Sequence, residues 1–130
     1  MKKIYKEKWL PVKDYEENYL VSNYGRICNK KTKKILKPFH CFGKYLYVKL
    51  SKNGKAKTMR LHRIVARAFI ENKDSKPIVH HIDTNAENNS AENLKWCSYE
   101  EHKKIHAELR TKNSKSIGGK QNEQKNSFGN

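Results

Sequence analysis

From Trp9 onward the apolar residues come in short bursts divided by polar turns. Tyr19-Leu20-Val21 has strand composition, and Ser22-Asn23-Tyr24-Gly25 has turn chemistry. Arg26-Ile27-Cys28 is placed to pair back on it, and Ile35-Leu36 reads as a further short strand. Lys44 to Leu50 is again strand-like, rich in Tyr, Val and Leu. Asn53-Gly54 follows, a dipeptide that accepts the positive φ angles of a tight hairpin turn, and Lys57 to Leu61 would return. From His62 the period changes. Ile64, Val65, Ala68 and Phe69 fall on one face, which predicts a helix of about two turns.

Glu71 to Pro77 is a polar connector. Ile78-Val79-His80-His81 then predicts a strand, Asp83 to Glu92 a loop of Asn, Ser and acid, and Leu94-Lys95-Trp96-Cys97 a second strand. Ser98-Tyr99-Glu100-Glu101 fits a capping box, in which the Ser and Glu side chains satisfy each other's free backbone N–H groups. The helix it opens is expected to run through Ala107 to about Lys112. Beyond Asn113 the only large apolar residues are Ile117 and Phe128, too few to offset the entropy of ordering, so a flexible tail is expected.

Charge changes this picture from architecture to partners. The 130-residue chain has a formal net charge of +16. Residues 1–75 hold 20 Lys and Arg against 6 Asp and Glu, a net +14, whereas residues 76–130 hold 9 against 7. No acid occurs between Asn18 and Ile70. Such a face repels itself unless something anionic binds it, and nucleic acid is the leading partner because clustered cations neutralise phosphates and release counterions. A solvated basic surface is the plain alternative. No run approaches the roughly 18 apolar residues of a spanning helix, which argues against a membrane protein. The basic start Met1-Lys2-Lys3 has no apolar stretch behind it, which argues against a secretory signal. The three cysteines, Cys28, Cys41 and Cys97, make neither a CxxC nor an even set. A disulfide framework is therefore not expected, and a reducing cytoplasm is the natural compartment.

Four of the six histidines lie between positions 80 and 106. On a strand, His80 and His81 must point to opposite faces unless one falls at the turn. His102 and His106, four apart on the capped helix, share one face. Neutral imidazoles bind divalent metals well, and three protein ligands with open positions describe a catalytic site. Each piece has an ordinary reading: an i, i+4 His pair decorates many helix surfaces, and Asp83 reads as a turn former. What favours chemistry is the joint spacing of His-His, an Asn twelve residues on, a His nine further and another four beyond that.

His80-His81-Ile82-Asp83, Asn88-Asn89, Asn93-Leu94, His102 and His106 together resemble the HNH nucleases of the ββα-metal group. The resemblance covers about Leu61 to His106, and Leu61 to Phe69 looks like the helix preceding the motif in phage and intron-encoded members. Trp9, Pro11, Val12, Tyr15, Glu16, Tyr19, Val21-Ser22-Asn23 and Gly25-Arg26-Ile27 resemble the small DNA-binding module that often precedes such domains. Lys125-Asn126-Ser127-Phe128-Gly129 faintly resembles another module of those enzymes.

The resemblance implies roles. His81 matches the general base, which deprotonates water for attack on phosphorus; an imidazole suits this because its ordinary pKa lies near operating pH. Asn93 matches the middle Asn, which holds the loop and orients the base. His80, His102 and His106 match metal positions, with one divalent ion between strand and helix. Products would carry 5′-phosphate and 3′-hydroxyl ends. Several intron-encoded members use Asp and Asn where this chain has His80 and His102. Nitrogen ligation suits Zn²⁺, Ni²⁺ or Mn²⁺ better than Mg²⁺. The resemblance implies Mg²⁺ or Mn²⁺ in function, and Zn²⁺ or Ni²⁺ are also expected to bind. Arg26, Lys44, Lys55, Arg60, Arg63 and Arg67 are candidate DNA contacts. If the 44–61 hairpin enters a groove, it does so as a two-stranded ribbon.

The expected fold is α+β: a basic β-rich DNA-binding module over 1–57, an HNH ββα-metal nuclease domain over 58–112 and a flexible tail over 113–130. The expected function is a metal-dependent endonuclease that nicks or cuts double-stranded DNA, encoded by a phage or mobile element and acting in the bacterial cytoplasm, as monomer or homodimer. The alternatives are a non-catalytic DNA-binding protein with a structural zinc and a nonspecific nuclease.

Overall fold

A computed structural model describes the backbone of residues 6–117 and the side chains of residues 6–109. Two antiparallel three-stranded sheets come first. β1 (Trp9–Pro11), β2 (Tyr19–Ser22) and β3 (Ile27–Asn29) form one, with Val21 opposite both Leu10 and Ile27. Ile35 joins it as an isolated bridge to Cys28 rather than as a strand. β4 (Phe39–His40), β5 (Leu46–Lys52) and β6 (Lys55–Arg60) form the other. β4, only two residues long, gave no periodicity from which to predict it. Asn53 and Gly54 have φ of 54° and 77°, the two positive values that a type I′ turn demands, so Lys52 pairs with Lys55 across a two-residue loop.

α1 (Leu61–Phe69) follows β6 directly. It buries Leu61, His62, Ile64, Val65 and Ala66, while Ala68 and Phe69 pack partly buried at the edge. β7 (Ile78–His81) pairs with β8 (Leu94–Cys97) in a third, two-stranded sheet, with a short 3-10 turn at Ala91–Asn93 before β8. α2 (Tyr99–Ile117) completes the described chain. Its capping box is formed: Ser98 N–H donates to Glu101 Oε1 at 2.8 Å, and Glu101 N–H donates to Ser98 Oγ at 3.1 Å. The helix passes the expected stop near Lys112 because neither Gly nor Pro interrupts the chain before Gly118. The rest of the expected tail, 118–130, lies outside the described residues.

The chain divides into two compact units, Met1–Trp96 and a second beginning at Cys97. The boundary expected between residues 57 and 58 falls within β6, inside the first unit. That unit has one core. Val12, Val21 and Ile27 from the first sheet, Val48 and Leu50 from the second, and Leu61, Val65, Val79 and Leu94 belong to one buried cluster. Tyr19 ties the two sheets together with a polar atom as well: its hydroxyl oxygen accepts from Ser51 N–H at 3.0 Å. No helix among the described residues is long and apolar enough to cross a membrane.

Candidate active site

β7 and the loop behind it place the candidate chemistry. His80 and His81 end the strand, and both are buried. The loop turns at once: Thr84 N–H donates to the His81 carbonyl at 2.9 Å, with Thr84 at a φ of 65°. Asp83 organises this turn. Its Oδ1 accepts from Asn85 N–H and from Asn93 Nδ2, and its Oδ2 accepts from Asn88 Nδ2. These donors, with Asn88 the largest influence, hold the Asp83 carboxyl below the usual carboxylate range.

Asn93 is the clamp of the loop. Its Nδ2 also donates to the Asn88 carbonyl at 2.9 Å, its Oδ1 accepts from Asp83 N–H at 3.0 Å, and its backbone carbonyl accepts from Ile82 N–H at 2.7 Å. Every hydrogen of the side-chain amide is used, and it closes both ends of the turn.

The side chain that reaches the His81 ring is Asn89. Its Oδ1 lies 2.8 Å from His81 Nε2. An amide oxygen only accepts, so Nε2 carries the proton and Nδ1 keeps the lone pair. In sequence Asn89 is one polar loop residue among several, and only the fold shows that it is buried beside the base.

Aromatic rings form the other wall. Tyr45 stacks on His62 with centroids 4.9 Å apart and planes 9° from parallel, and the His62 ring lies 5.0 Å from that of His81. His62 is thus a direct neighbour of the candidate base. The signal was its place on the inward face of α1, three residues before Val65. Burial pushes its imidazole down from 6.5 to about 3, with the fields of His81, Arg60 and Arg63 adding to the shift. It therefore stands neutral beside His81 at any working pH.

In the second unit, His102 and His106 face each other, with Nε2 atoms 3.2 Å apart. Two ligand bonds of about 2.0–2.1 Å at a tetrahedral angle put their nitrogens about 3.3 Å apart, so this spacing suits two ligands of one ion. His80 belongs to the first unit. Among the described residues no group of three or more His, Cys, Asp or Glu side chains is arranged to hold a metal ion.

The basic candidates differ in how free they are. The Arg26 guanidinium makes a bidentate ion pair with Glu7 and lies 5.5 Å over Trp9. This pairing holds the Glu7 carboxyl below its ordinary range and raises Arg26. Arg63 donates to the Pro77 carbonyl at 2.7 Å and lies over Trp96, so it stitches α1 to β7 and β8. Arg60 and Lys44 both lie over the Tyr45 ring, at 5.6 and 5.7 Å. Lys55 and Arg67 are exposed. These positions put Lys44 and Arg60 one aromatic ring away from His62.

Comparison with known proteins finds two family segments along the chain. Residues 60–104 match the HNH endonuclease family, and residues 7–51 match the NUMOD4 motif. An uncharacterized HNH endonuclease of Acanthamoeba polyphaga mimivirus is 41% identical over 113 residues, covering 85% of this chain and 34% of its own length. The DNA endonuclease I-HmuI of Bacillus phage SP01 is 39% identical over 90 residues, covering 69% of this chain and 52% of its own. A structure of DNA binding and cleavage by the HNH homing endonuclease I-HmuI superposes with a TM-score of 0.66 at 34% identity, over 85% of this chain and 59% of that one. The chain thus spans from about a third to about half the length of these curated relatives.

Proposed function

From the premise that the chain belongs to the HNH endonucleases, with a NUMOD4 motif in front of the nuclease unit, we propose that it is a metal-dependent endonuclease acting on double-stranded DNA. The observation that carries the reading is the state of His81. Its Nε2 is held by a buried amide oxygen, which leaves Nδ1 as the basic nitrogen. His81 Nδ1 takes the proton of a water that attacks phosphorus. The phosphorus–3′ oxygen bond breaks, and the 3′ oxygen leaves with a proton drawn from solvent. Asn93 holds the loop, and the neutral His62 keeps a second charge away from the base.

The sequence resemblance, rather than the geometry, makes His80, His102 and His106 the proposed nitrogen donors to a divalent ion. Mg²⁺ or Mn²⁺ is the working choice, with Zn²⁺ or Ni²⁺ able to occupy the same donors. When bound, such an ion stabilises charge on the phosphate oxygens and on the leaving oxygen. Exposed Lys44, Lys55, Arg60 and Arg67 would contact the DNA backbone, with Arg26 free to join if it parts from Glu7. One motif supplies one active site. A double-strand cut therefore takes a homodimer or two successive nicks. The setting we propose is a phage or mobile element acting in the cytoplasm of its host.

Supercoiled plasmid incubated with Mg²⁺, Mn²⁺ or Zn²⁺ tests this. Nicked or linear product that EDTA and His81→Ala both abolish is expected. Intact plasmid in every metal, with the DNA still shifted on a gel, would replace the proposal with a DNA-binding module that holds a structural metal.

A further inference from the structure

We propose that the Ser22–Gly25 turn of the first sheet is a positioning element for the nuclease chemistry: it seats Asn89, and Asn89 holds the ring of His81. The inference rests on the reading of His81 as the base.

Gly25 sits at a φ of 87°, in the left-handed region that side chains rarely adopt. A Cβ there would lie 2.7 Å from the Asn89 carbonyl oxygen and 2.9 Å from its carbon. The turn therefore rests on the Asn89 backbone at a distance only glycine permits. Two residues on, Ala91 N–H donates to the Asn23 carbonyl at 2.8 Å. The segment 89–91 is thus held at both ends by one turn.

That turn is itself built to be stiff. Ser22 is fully buried, and its Oγ accepts from Tyr24 N–H at 3.1 Å and Arg26 N–H at 3.2 Å. Ser22 N–H donates to the Arg26 carbonyl at 2.8 Å, and Gly25 N–H to the Ser22 carbonyl at 3.0 Å. What the turn supports is an unusual amide. Asn89 is only 5% exposed, and its Nδ2 is buried with no hydrogen-bond partner. A buried donor left unmade destabilises a fold, and an apolar group of the same shape would avoid that. The contact that accounts for an amide here is the bond from Oδ1 to His81.

The consequence is that residues of the front sheet set the rate of a reaction whose chemical groups lie elsewhere. The test compares Gly25→Ala, Ser22→Ala, Asn89→Leu and Asn89→Asp in the full chain, with His81→Ala alongside. Nicking kcat, KM for plasmid and the thermal midpoint are measured for each in the metal that supports cleavage. Gly25→Ala and Asn89→Leu are expected to lower kcat about tenfold or more, the usual effect of losing a residue that orients a functional side chain. KM should stay within about twofold, since ground-state binding is untouched. Asn89→Asp, which keeps an acceptor, should recover most of kcat. Asn89→Leu removes the unpartnered Nδ2 but leaves the buried His81 N–H without its acceptor, so its thermal midpoint is compared with that of Asn89→Asp, which keeps the acceptor. Ser22→Ala loosens the turn without inserting a Cβ, so it reads the turn's role even if Gly25→Ala does not fold, and it should lower kcat in the same direction. The proposal is overturned if His81→Ala is dead while the turn variants cleave at the parental kcat. It is equally overturned if Asn89→Asp is as slow as Asn89→Leu. Cleavage that survives in His81→Ala would overturn the reading of the base beneath it.

Discussion

Replacing His62 by Phe isolates the cost of a buried imidazole. In the folded chain His62 resists protonation down to about pH 3, whereas an unfolded His takes up a proton near 6.5. As pH falls below 6.5 the unfolded state gains a proton that the folded state refuses, so stability falls with pH. The slope approaches about 1.4 kcal/mol per pH unit, and the loss between pH 8 and pH 5 comes to about 2 kcal/mol. This figure does not depend on the exact folded value so long as that lies below about 4. The window also avoids the carboxylates: Glu7 and Asp83, both lowered on folding, give up their contribution only as pH falls through their own, more acidic range. No hydrogen bond involves the His62 ring among those described, and Phe keeps a flat ring to stack on Tyr45. Urea unfolding at pH 8, 6.5 and 5 measures the difference directly. The parent should lose about 2 kcal/mol more than His62→Phe over this range. Parallel losses in the two proteins would mean that His62 is protonated in the fold, and that the account of a neutral ring beside His81 is wrong.

Two further substitutions probe the loop and the helix. Asn93→Ala removes three side-chain hydrogen bonds and strands the Asn88 carbonyl, so chemical denaturation should show a loss of about 2–3 kcal/mol, with cleavage falling as the loop loosens. Ser98→Ala removes the cap that Glu101 N–H donates to; circular dichroism melting should report a loss of about 1 kcal/mol, with no change in the first unit.

Local chemistry carried much of the sequence reading. The Asn53-Gly54 turn, the capping box at Ser98, the strand ending in His80 and His81 and the helix from Leu61 all depend on a few adjacent residues, and all are present. What sequence could not show are relations between residues far apart. β4 pairs with β5 through two residues whose neighbours give no alternation. Asn89 looks like any polar loop residue until the fold sets it against Gly25, 64 positions earlier. Arg26 and Arg63 looked alike as free cations, yet one is paired with Glu7 and the other spans to Pro77. For Asn89 and the two arginines the deciding partner lies more than a dozen residues away.

The same long-range contacts bear on how the two family segments relate. The NUMOD4 match ends at residue 51 and the HNH match begins at 60, which suggests a hinge at the seam. The seam instead runs through the β5–β6 hairpin, whose six residue pairs from Tyr47–Arg60 to Lys52–Lys55 lock it in register. On either side of it, Val21, Val48, Leu61 and Val79 share one core. The front sheets also reach the nuclease loop directly: Asn23 and Gly25 from the first, and His40 from the second, whose Nε2 lies 3.0 Å from Glu87. A cooperative core of this kind unfolds as a unit. The first segment is then a wall of the candidate active site as well as a candidate grip on DNA, and strain introduced at Gly25 reaches His81 through a single intervening residue.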